Sequence, residues 1–159
     1  MRKGSGFMGD TNMGESLVRV LVIEDNPDDR ELLLYQLRKS GLDSQVKFVA
    51  DGHDALEFLT QLSSSSFSES LIAIFLDLKL PRIDGLELLR RLRSQEVFQN
   101  LPVIVMTSSN DPKDIEECRR LKVTNYVAKP VTYSAFSKAV ADVFHRPPSE
   151  TGRLSVEGV

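Results

Sequence analysis

One cysteine, two histidines and no long apolar run set the first limits on this 159-residue chain. Cys118 has no partner for an internal disulfide, which fits a reducing compartment and points to the cytoplasm. No stretch approaches the roughly 20 consecutive apolar residues that span a bilayer, and the N-terminus lacks the apolar core of a secretory signal, so no membrane partner is expected. Positive charge is also short. Lys and Arg number 20 against 23 Asp and Glu, a formal net charge of −3, and no overall basic field draws the chain to nucleic acid. Arg90, Arg91 and Arg93 read as the wet side of a helix. His53 and His145 lie far apart without companion ligands, which argues against a zinc site.

What is present is a regular alternation. Short β-branched runs at residues 18–23, 45–50, 72–76, 103–107 and 125–128 are separated by amphipathic stretches, the pattern of βα units around a parallel sheet. The first, third and fourth runs are nearly continuously apolar, as buried strands are, whereas the second alternates and reads as an edge. Helices are predicted to open at Asn26-Pro27-Asp28-Asp29, Gly52, Asp84, Asp111-Pro112 and Thr132, where capping side chains, proline and acidic residues suit a helix N-terminus. Leu86, Leu89 and Leu92 are expected inward on the third helix, and Phe136, Val140, Val143 and Phe144 on the fifth. Residues 1–16 read as a disordered leader or tag and 146–159 as a flexible tail, leaving one domain over 17–145.

Carboxylates gather at the strand ends. Val18-Arg-Val-Leu-Val-Ile23 runs into Glu24-Asp25, and Leu71-Ile-Ala-Ile-Phe-Leu runs into Asp77, so two strands deliver three acids to one end of the sheet. Like charges held that close repel unless some protonate or a cation neutralises them, and a hard cation that also holds phosphate oxygens is the simplest relief. Thr107 and Lys129 also fall at carboxyl ends of strands, where open parallel sheets form their ligand crevice.

Four blocks now stand in order: Val-Ile-Glu-Asp at 22–25, Leu-Asp-Leu-Lys-Leu-Pro-Arg-Ile-Asp-Gly at 76–85, Val-Met-Thr-Ser at 105–108 and Tyr-Val-Ala-Lys-Pro at 126–130. Together they resemble the receiver domain of two-component response regulators over about residues 18–144. The resemblance implies an α/β, flavodoxin-like, doubly wound sheet of five parallel strands in the order 2-1-3-4-5 with five helices. It implies that Asp77 is the phosphoacceptor. Asp25, Asp77 and the backbone carbonyl of Lys79 would bind Mg2+ directly, with Glu24 acting through water. Lys129 would pair with Asp77 or its phosphate, Thr107 would be the switch hydroxyl, and Tyr126 would be the aromatic that moves into the space Thr107 leaves. Ser108 would leave room for the acyl phosphate, and the Lys129-Pro130 bond is cis in many relatives.

The implied activity is acceptance of a phosphoryl group from a histidine kinase, with the chain catalysing its own phosphorylation and dephosphorylation without being an enzyme in the turnover sense. The Asn-Pro-Asp-Asp segment and the stretch 96–101 resemble stand-alone regulators of phytochrome-type kinases. Output is expected through protein contact: a homodimer, a second phosphotransfer partner or a separate effector. Two rivals remain open, a magnesium-dependent aspartyl-phosphate phosphohydrolase and a phosphate-independent docking receiver. The first is disfavoured because Lys79 stands where such hydrolases carry a second aspartate.

Overall fold

The computed structural model describes residues 18–66, 70–144 and 155–157. Its strands are β1 Val20–Ile23, β2 Val46–Val49, β3 Ala73–Asp77, β4 Val103–Thr107, β5 Asn125–Ala128 and β6 Ser155–Glu157. Between them run α1 Pro27–Lys39, α2 Gly52–Ser63, α3 Gly85–Arg93, α4 Pro112–Arg120 and α5 Tyr133–Phe144, with short 3-10 turns at Asp43–Gln45 and Glu96–Phe98. The first five strands lie parallel in the order 2-1-3-4-5, as the resemblance implied, and β6 adds a sixth, parallel strand beside β5. The leader expected at 1–16 lies outside the described residues, as does the tail expected at 146–159 except for β6.

Every residue of β1, β3 and β4 is buried, whereas β2 buries only Val49 and forms the edge. Because successive side chains of a strand point to opposite faces, β1 splits its apolar residues between two cores. Leu21 and Ile23 pack with residues of α2, α3 and α4, whereas Val20 and Val22 share the other core with Leu33 and Leu37 of α1 and Phe136 of α5. Phe136 stacks on Phe75 at 5.6 Å between ring centroids.

Side chains cap the helices where the sequence placed them. Asn26 Oδ1 accepts from the amides of Asp28 and Asp29 at 2.9 and 3.0 Å. Asp84 and Asp111 cap α3 and α4, and the Thr132 hydroxyl oxygen accepts from the amide of Ala135. Asp51 caps α2 from one residue before its predicted start.

On α3 the expected inward leucines all meet the core: Leu89 and Leu92 are fully buried and Leu86 is partly buried against it, with Leu88 added to the same face. One helix-face expectation needs correction: Arg93 is not on the wet side. Its guanidinium turns inward and donates to the carbonyls of Leu121 at 2.7 Å, Phe98 at 2.9 Å and Lys122 at 3.2 Å. Val140 and Val143 are partly buried against the α1/α5 core, and the side chain of Phe144 lies outside the described set.

Candidate functional site

Strand register brings the predicted residues to one edge of the sheet. Ile23 pairs with Leu76, Asp77 with Met106, and Thr107 with Ala128, so the residues at or just after these positions emerge side by side. Glu24, Asp25 and Asp77 each offer a carboxylate oxygen, and these three atoms lie within 4.8 Å of one another. Glu24 and Asp77 are buried, and Asp25 faces solvent. An all-oxygen acidic set open on one side suits a hard divalent cation that keeps part of its water shell.

The side chain of Lys129 reaches into this cluster from the end of β5. Its Nζ lies 2.7 Å from Glu24 Oε1, 2.9 Å from Asp29 Oδ2 and 3.0 Å from Asp77 Oδ2. The contacts to Asp29 and Asp77 are well-directed hydrogen bonds. Glu24 Oε1 takes the ammonium at close range but at a poorer angle, and this buried atom has no other partner. Glu24 Oε2 accepts the amide of Asn26 at 3.1 Å.

The electrostatics follow from burial and crowding. Desolvation pushes the Glu24 carboxyl up to about 7, helped by the charge of Asp77 and opposed by Lys129 and the Asn26 amide. Burial works against the Lys129 ammonium, but its bonds to Glu24, Asp29 and Asp77 outweigh that and hold its pKa above the ordinary lysine range. The site carries more negative than positive charge without a bound cation, and its most enclosed acid is the one whose proton affinity rises.

Backbone geometry fixes Asp77. The amide of Lys79 donates to Asp77 Oδ1 at 3.1 Å, which leaves Oδ2 toward Lys129. Gly85 allows the start of α3 to press on the end of β3: a Cβ there would meet Asp77 O and Leu78 Cα at 2.5 Å. Gly52 plays the same part against Ile83, whose carbonyl oxygen would stand 2.2 Å from an added Cβ. Arg82, at φ 68°, holds the loop from the other side with bonds to both carboxylate oxygens of Asp51 at 3.2 and 3.3 Å. The residues after Asp77 are thus braced against α2 as well as α3.

Thr107 is fully buried, and its hydroxyl oxygen accepts the Ser109 amide at 3.2 Å. Its carbonyl accepts the amide of Lys129 at 2.9 Å, tying the ends of β4 and β5 together. Ser108 is exposed beside it. Tyr126 is also fully buried, with its hydroxyl donating to Ser109 O at 2.9 Å. Burial pushes that phenol up to about 12. The Lys129-Pro130 bond is cis. Glu24, Asp25, Asp77, Lys79, Thr107, Ser108 and Lys129 therefore lie at or just past this edge, with Tyr126 in the strand behind it. Asp29 and Arg82 were not singled out. Both sit in loops or first turns directly after a strand end, and that placement was the available signal.

The description "Response regulator receiver domain" matches residues 20–141. The chain belongs to that family. Among solved receivers it is similar to the bacteriophytochrome response regulator RtBRR, at 37% identity over 79% of this chain and 77% of that one, with a TM-score of 0.67. Among curated proteins it is similar to the response regulator Rcp1 of Synechocystis, at 32% identity over 69% of this chain and 75% of Rcp1. It also resembles the receiver domain of the sensor histidine kinase PA1611 from Pseudomonas aeruginosa, solved with a magnesium ion in its active-site cleft, at 27% identity over 79% of this chain and 95% of that one and a TM-score of 0.63. No helix among the described residues is long and apolar enough to cross a membrane.

Proposed function

We propose that this receiver takes a phosphoryl group from the phosphohistidine of a histidine kinase onto Asp77. The observation that carries the reading is the convergence of Glu24, Asp25 and Asp77 within 4.8 Å, faced by one lysine. A carboxylate oxygen of Asp77 attacks phosphorus, the phosphorus–nitrogen bond breaks, and its electron pair returns to the imidazole. Asp25, Asp77 and the carbonyl of Lys79 would hold Mg2+ directly and Glu24 would hold it through water, and the cation supplies charge neutralisation for the transferring phosphoryl oxygens. The crowding of three carboxylates against one ammonium, and the raised proton affinity of Glu24, support such an ion at this place.

The chain's own residues do the rest. The Lys79 amide orients Asp77, and the Lys129 ammonium stands where it can pair with a phosphoryl oxygen as charge develops. Thr107 Oγ1 can turn from the Ser109 amide to donate to the same group, which leaves the Ser109 backbone held only at its carbonyl, by Tyr126. Phosphorylation then biases two arrangements of that loop because its oxygens bond better in one. Similarity to RtBRR and Rcp1 favours a phytochrome-type kinase as donor, and the output is contact with another protein, whether a second copy, a further phosphotransfer protein or an effector.

Incubation with Mg2+ and acetyl phosphate, followed by borohydride trapping and peptide mass spectrometry, tests this. Modification of Asp77 that disappears in Asp77→Asn is expected. Modification elsewhere, or none, would return the chain to the docking reading, and steady turnover of phosphomonoesters would return it to the hydrolase reading.

A further inference from the structure

Lys129 has three N–H bonds to donate, and three carboxylates already stand within 3.0 Å of its nitrogen. Two of them, Glu24 and Asp77, belong to the acidic cluster. The third, Asp29, comes from the first turn of α1, 100 residues away in sequence. A phosphoryl group arriving on Asp77 can take over the bond to Asp77 Oδ2, and any second bond from this ammonium has to be released by Glu24 or Asp29.

We propose that Asp29 is a positioning residue that holds Lys129 back from the phosphoryl group, and so sets how firmly the phosphorylated state is kept; this rests on the phosphoacceptor reading of Asp77. Asp29 cannot follow the lysine. Its backbone amide is fixed by Asn26 Oδ1 at 3.0 Å, and α1 is fastened to the sheet through Leu33 and Leu37. The Glu24 side chain is fully buried, whereas the Asp29 side chain is 31% exposed and exchanges its ion pair for water at lower cost. Of these two contacts, the one to Asp29 is therefore the one that yields when the ammonium makes a second bond to the phosphoryl group. A charge-assisted bond given up there offsets part of the new bond to phosphate. A neutral side chain at position 29 removes that competition and leaves the ammonium to the phosphoryl oxygens.

Beryllofluoride, a non-covalent mimic of an aspartyl phosphoryl group, reads this directly when titrated in excess Mg2+ and followed by fluorine NMR. Asp29→Asn is expected to bind it about tenfold more tightly than the unaltered chain, the scale of one charge-assisted bond. Asp28→Asn removes the same charge from the same turn at an exposed residue and is expected to change affinity less than about twofold, as an exposed charge in water should. Asp29→Ala should repeat the gain, which guards against a fault peculiar to asparagine, and thermal melting verifies that each variant is folded. Unchanged or weaker binding in both Asp29 variants, or an equal gain in Asp28→Asn, overturns the assignment. Uptake that survives in Asp77→Ala overturns the phosphoacceptor reading beneath it.

Discussion

The hydroxyl of Tyr126 donates to the carbonyl oxygen of Ser109 at 2.9 Å, from a side chain with no exposed surface. A strand residue of β5 thereby fastens the loop that follows β4, next to the Thr107 hydroxyl that holds the Ser109 amide. The same residue, Ser109, is gripped at its amide and its carbonyl.

Tyr126→Phe keeps the ring and its packing but leaves Ser109 O without that donor. A stability loss of about 1–2 kcal/mol is expected in urea unfolding. Faster amide exchange at residues 109–111, with exchange in the strands unchanged, would show that the loss is local.

Arg93→Ala removes one guanidinium that serves three carbonyls at the junction of α3, α4 and the 3-10 turn Glu96–Phe98. Burial lowers its pKa to about 10, and it stays charged at neutral pH. A loss of about 2–4 kcal/mol is expected, because the carbonyls are left partly unsatisfied and the aliphatic stem is lost. Arg91→Ala, which breaks only an exposed pair with Glu87 on α3, should cost less than about 0.5 kcal/mol.

Glu24 gives the site a pH signature. Its folded pKa of about 7 stands above the ordinary 4.5, so the folded chain binds the proton more tightly than the unfolded one. Its contribution to stability is fully present below pH 4.5 and is lost as pH rises through 7. In EDTA, the melting temperature should fall between pH 5 and pH 8, and Glu24→Gln should flatten that slope. Added Mg2+ should stabilise more at pH 8 than at pH 5, with a total gain of about 2.7 kcal/mol where Mg2+ stands at a hundredfold excess over its dissociation constant. Asp25→Asn should remove most of this gain.

Cys118 is fully buried on α4, and burial pushes its thiol up to about 12. A thiol reagent at pH 8 should react only through unfolding, with a rate that climbs across the urea transition. At alkaline pH the sign matches that of Glu24: the thiol's contribution is intact below 9 and lost as pH rises toward 12. The difference in melting temperature between the unaltered chain and Cys118→Ala should therefore change across that window.

The sheet and its acidic edge were legible because each rests on local pattern. Continuous apolar runs mark β1, β3 and β4, and the strand ends put Glu24, Asp25, Asp77, Thr107 and Lys129 on one edge whatever the details of packing. What escaped depends on side-chain direction. Asp29 looks like an ordinary first-turn acid, and its bond to Lys129 spans a gap in sequence that no periodicity reports. Arg93 follows two exposed arginines and reads like them, yet it lies on the helix flank facing the end of α4. The bond between Arg82 and Asp51 needs a left-handed residue at 82 that few would expect of arginine. The strand β6 was missed because three residues in a polar segment carry too little alternation to be recognised.

The close approach of Ile83 O to Gly52 makes two distant positions answer to each other. Any side chain at 52 has to displace the segment that carries Lys79 and Arg82, so a change made at the foot of α2 would be felt as altered geometry around Asp77. A larger residue at 52 would therefore need a shorter or retracted turn near 83 to leave the surroundings of Asp77 in place.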